Sequence, residues 1–77
     1  MKKVLADWVD TSVAHGWACA DEVNKDDIAY CQSVGFLYSQ SDDKIVLVMG
    51  ISNLGNYFER KVIPTACVRS IKELRLK

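Results

Sequence analysis

Apolar and polar residues alternate with a period of two through most of the chain, and the alternating runs are separated by short polar turns. In Lys3–Asp10, Val4, Ala6 and Trp8 fall on one side and Leu5, Asp7 and Val9 on the other, as in a strand. Asp10-Thr11-Ser12 ends it, because these short polar side chains bond nearby backbone amides. A loop closed by Gly16 leads to Ala18-Cys19-Ala20-Asp21-Glu22-Val23, good helix formers with too few turns to stand alone. One short helix is therefore predicted, stopping between Asn24 and Asp27. Residues 28–40 form the second strand region, in which Val34, Phe36 and Tyr38 alternate with Gly35, Leu37 and Ser39. Gly35 is expected at a bulge or sharp bend.

After the turn Ser41-Asp42-Asp43, residues 44–52 give a third strand. It places Ile45, Leu47, Met49 and Ile51 on one face and Val46 and Val48 on the other, as in a central strand covered on both sides, with Met49 inside. Asn53-Leu54-Gly55-Asn56 is a hairpin turn, since Asn and Gly tolerate positive φ. Residues 57–63 form a fourth strand whose charged middle, Glu59-Arg60-Lys61, belongs at an edge or on a half-exposed face. Pro64 lacks a donor and ends the pairing, and Thr65-Ala66-Cys67 suits a single helical turn. The spacing of Val68, Ile71 and Leu74 fits a helix or a bulged strand, and the prevalence of Val and Ile favours a short strand. Arg75, Leu76 and Lys77 are expected to fray.

Several short strands in 77 residues bury both faces only by curling. The predicted fold is mainly β: residues 1–77 as one domain, a small five-stranded, partly open barrel with one short helix after the first strand. A domain of this length hides only about 60% of its unfolded surface, so every apolar side chain counts. The apolar run from Ile45 to Ile51 is far short of the ~20 residues of a bilayer span. Lys2-Lys3 is followed by only Val4-Leu5-Ala6 before Asp7, too little for a signal peptide. No membrane association and a cytoplasmic location are expected.

Ten basic and ten acidic residues cancel overall but are unevenly distributed. Three basic and eight acidic residues lie in 1–43, and seven basic and two acidic in 44–77. Either the halves interleave and neutralise each other on a mixed surface, or the molecule carries an acidic and a basic face able to dock an oppositely charged partner or a second copy.

Cys19, Cys31 and Cys67 are odd in number and widely spaced, which is not a disulfide framework. With His15 they make the ligand count of a Cys3His site without any C-x-x-C knuckle. The expectation is no metal, no cofactor and three buried thiols acting as small hydrophobes. Asp10, Ser12 and His15 have the residue types of an acid, a nucleophile and a base, but spacing alone supplies neither the serine–histidine hydrogen bond nor an oxyanion hole, and no G-x-S-x-G elbow is present. A loop in which Asp10 and Ser12 cap backbone amides and His15 makes a structural hydrogen bond is the simpler reading, and no enzyme activity is expected.

Trp8-Val9-Asp10-Thr11-Ser12, His15-Gly16-Trp17, Ser33-Val34-Gly35-Phe36-Leu37 and Ile63-Pro64 followed by Val68, Ile71 and Leu74 together resemble small uncharacterised proteins encoded by bacteriophages and prophages. The resemblance spans nearly the whole chain. It implies a phage or prophage origin, hence the cytoplasm of a bacterial host, and little chemistry. The proline, short turn and closing strand are also similar to the end of SH3-like and Sm-like barrels, although nothing here matches the nucleotide-binding residues of Sm proteins.

Trp8 is expected to fill the barrel and Trp17 to cover one open end. The competing reading sets Trp17 with His15 and Tyr57 on a protein-binding surface, where aromatic anchors concentrate binding energy. Arg60, Lys61, Arg69 and Lys72, beside Tyr57 and Phe58, have the ingredients of a nucleic-acid stacking platform, against which stand a net charge of zero and the absence of a recognition motif. The expected function is accordingly a non-enzymatic protein-interaction module. Its partner is an unknown protein, of the host if the chain is phage-encoded, or another copy of itself. The alternative is a small nucleic-acid-binding regulator that uses the basic half.

Overall fold

The computed structural model describes residues 1–75. Five strands form a single antiparallel sheet: β1 (Lys3–Asp10), β2 (Ala29–Gln40), β3 (Lys44–Ile51), β4 (Tyr57–Pro64) and β5 (Val68–Leu74). The helix α1 (Ala20–Lys25) follows β1, and the 3-10 turn η1 (Thr65–Cys67) precedes β5. The strand order is β4-β3-β2-β1-β5, a meander whose last strand returns to the free side of β1. Of the three residues expected to fray, Arg75 follows the end of β5, and Leu76 and Lys77 lie outside the described residues.

Strand β2 is long enough to serve two partners. Its first part, from Ala29 to Phe36, pairs with β1, and its last part, from Phe36 to Gln40, pairs with β3. The sheet turns over at this changeover and brings the β1–β5 half against the β3–β4 half. Gly35 sits at the changeover, where a Cβ would lie 3.0 Å from the Val48 carbonyl oxygen and 3.4 Å from Leu47 Cβ. The bend the sequence requires of this glycine is thus a close backbone approach, and the register irregularity falls beside it, between Leu37 and Ser39.

Between the two halves lies the core of Val4, Ala6, Trp8, Ile45, Leu47 and Ile63, with Leu37, Cys31, Cys67, Val68 and Ile71 packed against it. Period-two patterning places Val4, Ala6 and Trp8 on one face of β1, and that face meets Ile45 and Leu47 of β3. The indole of Trp8, 8% exposed, donates from Nε1 to Ser33 Oγ at 3.0 Å, so its polar atom is satisfied at the margin of the core. The Lys61 ammonium lies 4.5 Å from the centre of the same ring. The expectation that Trp8 fills the interior holds.

Two expectations about the interior do not. Met49 continues the inward period of Ile45 and Leu47 but is 61% exposed, and Ile51 is exposed as well. The reason is the ladder: β3 pairs with β2 only from Ile45 to Val48, and beyond that it runs on as a ribbon with β4 alone. Nor are all three thiols buried. Cys31 and Cys67 pack on the core, whereas Cys19 is exposed at the start of α1.

Strands β4 and β5 are the two edges of the sheet, joined through η1, with no ladder between them among the described residues. The junction is held by Thr65, whose backbone N–H donates to the Asp43 carbonyl at 3.0 Å and whose hydroxyl donates to the Ser41 carbonyl at 2.9 Å. The molecule measures 53 × 27 × 24 Å with a radius of gyration of 16.3 Å, against about 11 Å for a compact domain of this length. That elongation comes from segments that project beyond the core.

Candidate functional site

The largest projection is the connection from β1 to β2. Every residue from Asp10 to Ile28 is exposed, and α1 buries none of its six residues. A helix this short has no stability of its own in water and ordinarily needs a packed face. The base of the arm is fastened: the Asp10 carboxylate accepts from the Thr11 amide at 2.8 Å, the Asp27 carboxylate accepts from the Ile28 amide at 2.7 Å, and the Ser12 hydroxyl donates to the Asp27 carbonyl. The Asp10 bond is the amide cap expected of it, whereas Ser12, also expected to cap an amide, spends its proton on a backbone carbonyl oxygen instead. His15 stands exposed nearby, and its side chain makes no hydrogen bond to the described residues, contrary to the structural bond expected of it, because the loop around it meets no other element.

Trp17 is 103% exposed, as open as an isolated residue. It covers no end of the fold, contrary to the first expectation, because its loop never returns to the core. Val13, Val23 and Ile28 of the same arm are also open. No periodicity in this segment signals such apolar residues, and composition alone cannot distinguish a covered loop from an uncovered one.

A second feature lies on the other half of the sheet. Tyr38 and Tyr57 meet edge to face, their ring centres 4.9 Å apart, and with Val46, Val48 and Arg60 they line a cleft of about 220 Å³. Tyr38 enters it from the irregular stretch of β2 between Leu37 and Ser39, which is why simple alternation gives no warning of it. Tyr57 therefore belongs to the β3–β4 hairpin, while His15 and Trp17 belong to the β1–β2 arm.

The four basic residues considered for nucleic acid occupy three settings. Arg60 lines the tyrosine cleft, Lys61 covers Trp8, and the Arg69 guanidinium lies 5.2 Å from the centre of the Tyr30 ring. Lys72 is a neighbour of Asp7, as is Arg69. Asp7 is held below its ordinary value of 3.8, first by the amide of Gln32, which donates to Oδ1 at 2.8 Å, then by the hydroxyl of Ser70, which donates to Oδ2 at 3.0 Å. A lowered carboxylate contributes stability that is present above its unfolded value and lost as pH falls through the folded one. Asp7→Asn is therefore expected to be less stable than wild type at pH 7 and to converge with it below about pH 4, its own stability falling less steeply in acid. Urea titrations across that range check this, and parallel acid curves for both proteins would contradict it.

The charge halves combine both sequence-based pictures. Asp7 beside Arg69 and Lys72, and Lys2 at 4.0 Å from Glu73, show acidic and basic halves interleaving along β1 and β5. The arm stays apart. Between positions 10 and 27 it holds Asp10, Asp21, Glu22, Asp26 and Asp27 against Lys25, a net minus four, which the rest of the chain balances at plus four.

Among the described residues no cluster of His, Cys, Asp and Glu is assembled for a metal, and no helix is long and apolar enough to cross a membrane. No protein-family model matches the chain, and neither a curated protein nor a solved structure matches it.

Proposed function

We propose that the protein is a non-enzymatic protein-interaction module that works through the arm between β1 and β2, as small phage or prophage proteins of SH3-like barrel architecture would do in a host cytoplasm. The observation that carries this reading is Trp17, wholly exposed at the middle of an arm that buries nothing. A large aromatic surface kept in water is unfavourable, and removing it from water at a partner is a strong source of affinity. His15, two residues away, and the acidic residues around α1 add polar contacts. The nucleic-acid alternative has less support, since Arg60, Lys61 and Arg69 are divided among the cleft, Trp8 and Tyr30, and Lys72 lies near Asp7.

The test is capture by the immobilised chain from a bacterial lysate supplemented with the untagged chain, so that a foreign protein or a second copy is detected alike. Wild type is expected to retain a defined protein, and Trp17→Ala to lose it by roughly tenfold or more, with an unchanged melting temperature because Trp17 contributes nothing to the core. Capture that is equal for both, or absent for wild type, removes the reading.

A further inference from the structure

We infer that the partner is a second copy of the chain, the Trp17 arm of each protomer lying in the Tyr38–Tyr57 cleft of the other; this rests on the interaction-module reading above.

Charge is the first argument. The arm at minus four and the remainder at plus four make a neutral protein whose opposite charges are segregated in space, so copies attract one another through unlike regions. Shape and chemistry of the cleft are the second. Its walls are Tyr38, Tyr57, Val46 and Val48, with the guanidinium of Arg60 beside them. An apolar cavity of about 150 Å³ accommodates benzene, so a cleft of about 220 Å³ open to solvent suits the larger indole. Arginine is the cation best fitted to stack on an indole face. Asp21 and Glu22, in the first turn of α1, follow Trp17 closely enough to meet Arg60 and its neighbour Lys61. Reciprocal exchange of the two arms then gives a closed twofold dimer in which both exposed aromatic features are covered.

Edge-to-edge pairing of strands is a poorer route for the same two copies. Glu59 has φ of 53°, a left-handed conformation in the middle of β4, and the ladder is interrupted opposite Met49. Joining β4 to β5 of another copy would also bring Arg60 and Lys61 toward Arg69 and Lys72, like charges that repel.

Light scattering on the whole chain from about 1 μM to 1 mM reads the outcome directly. A rise from 8.7 kDa toward twice that mass is expected, with dissociation favoured by added salt. Trp17→Ala and Arg60→Glu should each remain monomeric over the same range, with circular dichroism confirming that both stay folded. An equimolar mixture of the two should dimerise again, more weakly than wild type, because the intact arm of one meets the intact cleft of the other. Wild-type protein monomeric at every concentration, a dimer indifferent to either substitution, or a mixture no better than its components would overturn the inference. A monomer that still captures a lysate protein through Trp17 would overturn this inference too, yet leave the interaction-module reading standing.

Discussion

Replacing Trp8 by alanine is expected to remove at least about 3–5 kcal/mol of the protein's stability. The indole is 8% exposed, contacts the core between β1 and β3, and donates to Ser33 across the β1–β2 pairing. Truncating a buried Trp costs about 3–5 kcal/mol in lost burial and cavity formation. Two further losses accompany it: the Ser33 hydroxyl is left without its donor, and Lys61 loses the ring 4.5 Å beneath its ammonium. A chain of this length has a total stability of only about 4–12 kcal/mol, so the substitution removes much or all of it. Trp8→Phe keeps most of the apolar volume and should fall between the two. Thermal unfolding followed by far-ultraviolet dichroism measures the series. A Trp8→Ala protein melting within a few degrees of wild type would mean that the two halves of the sheet are not held together at this side chain.

The second large effect compares two residues of one strand. Ile45 and Met49 share a phase in the alternation of β3, and on pattern alone they are equivalent. Ile45 is 0% exposed, pairs with Ile63 on β4 and faces Val4 and Ala6 in the core cluster. Ile45→Ala is expected to cost about 2–5 kcal/mol. Met49→Ala is expected to stay within about 0.5 kcal/mol, as an exposed substitution away from any buried network. Urea unfolding with unchanged m-values gives both numbers. Similar losses at the two positions would show that the core extends along the β3–β4 ribbon, contrary to the ladder described above.

Much of the architecture is legible from local pattern. The bounds of β1 follow from Val4, Ala6 and Trp8 alternating with Leu5, Asp7 and Val9. The turn around Asn53 and Gly55 follows from residues that accept positive φ, and Gly55 has φ of 81°. The single helical turn at Thr65–Cys67 follows from Pro64 ending a strand just before it. The charged middle of β4 marks an edge strand, which it is. The candidate site is less legible. Trp17 and Tyr57 are conspicuous as aromatic residues, but Tyr38 joins Tyr57 only because β2 loses its regular register beside it. Arg60 and Lys61 are neighbours in sequence, yet one lines the tyrosine cleft and the other covers Trp8, while Arg69 and Lys72 lie near Asp7 on the other half of the sheet.

The sequence by itself determines where the chain is extended, where it turns and which side chains share a face, since these depend on neighbours two to four positions away. Whether a given face is covered depends on a second layer, and that layer comes from residues distant in sequence. Tertiary structure alone therefore decides that Ile45 is buried and Met49 open, that Cys31 and Cys67 meet the core while Cys19 does not, and that Trp8 is enclosed while Trp17 stands in water. The physical reason is the same in each case: alternation sets direction, but only a facing strand removes a side chain from solvent.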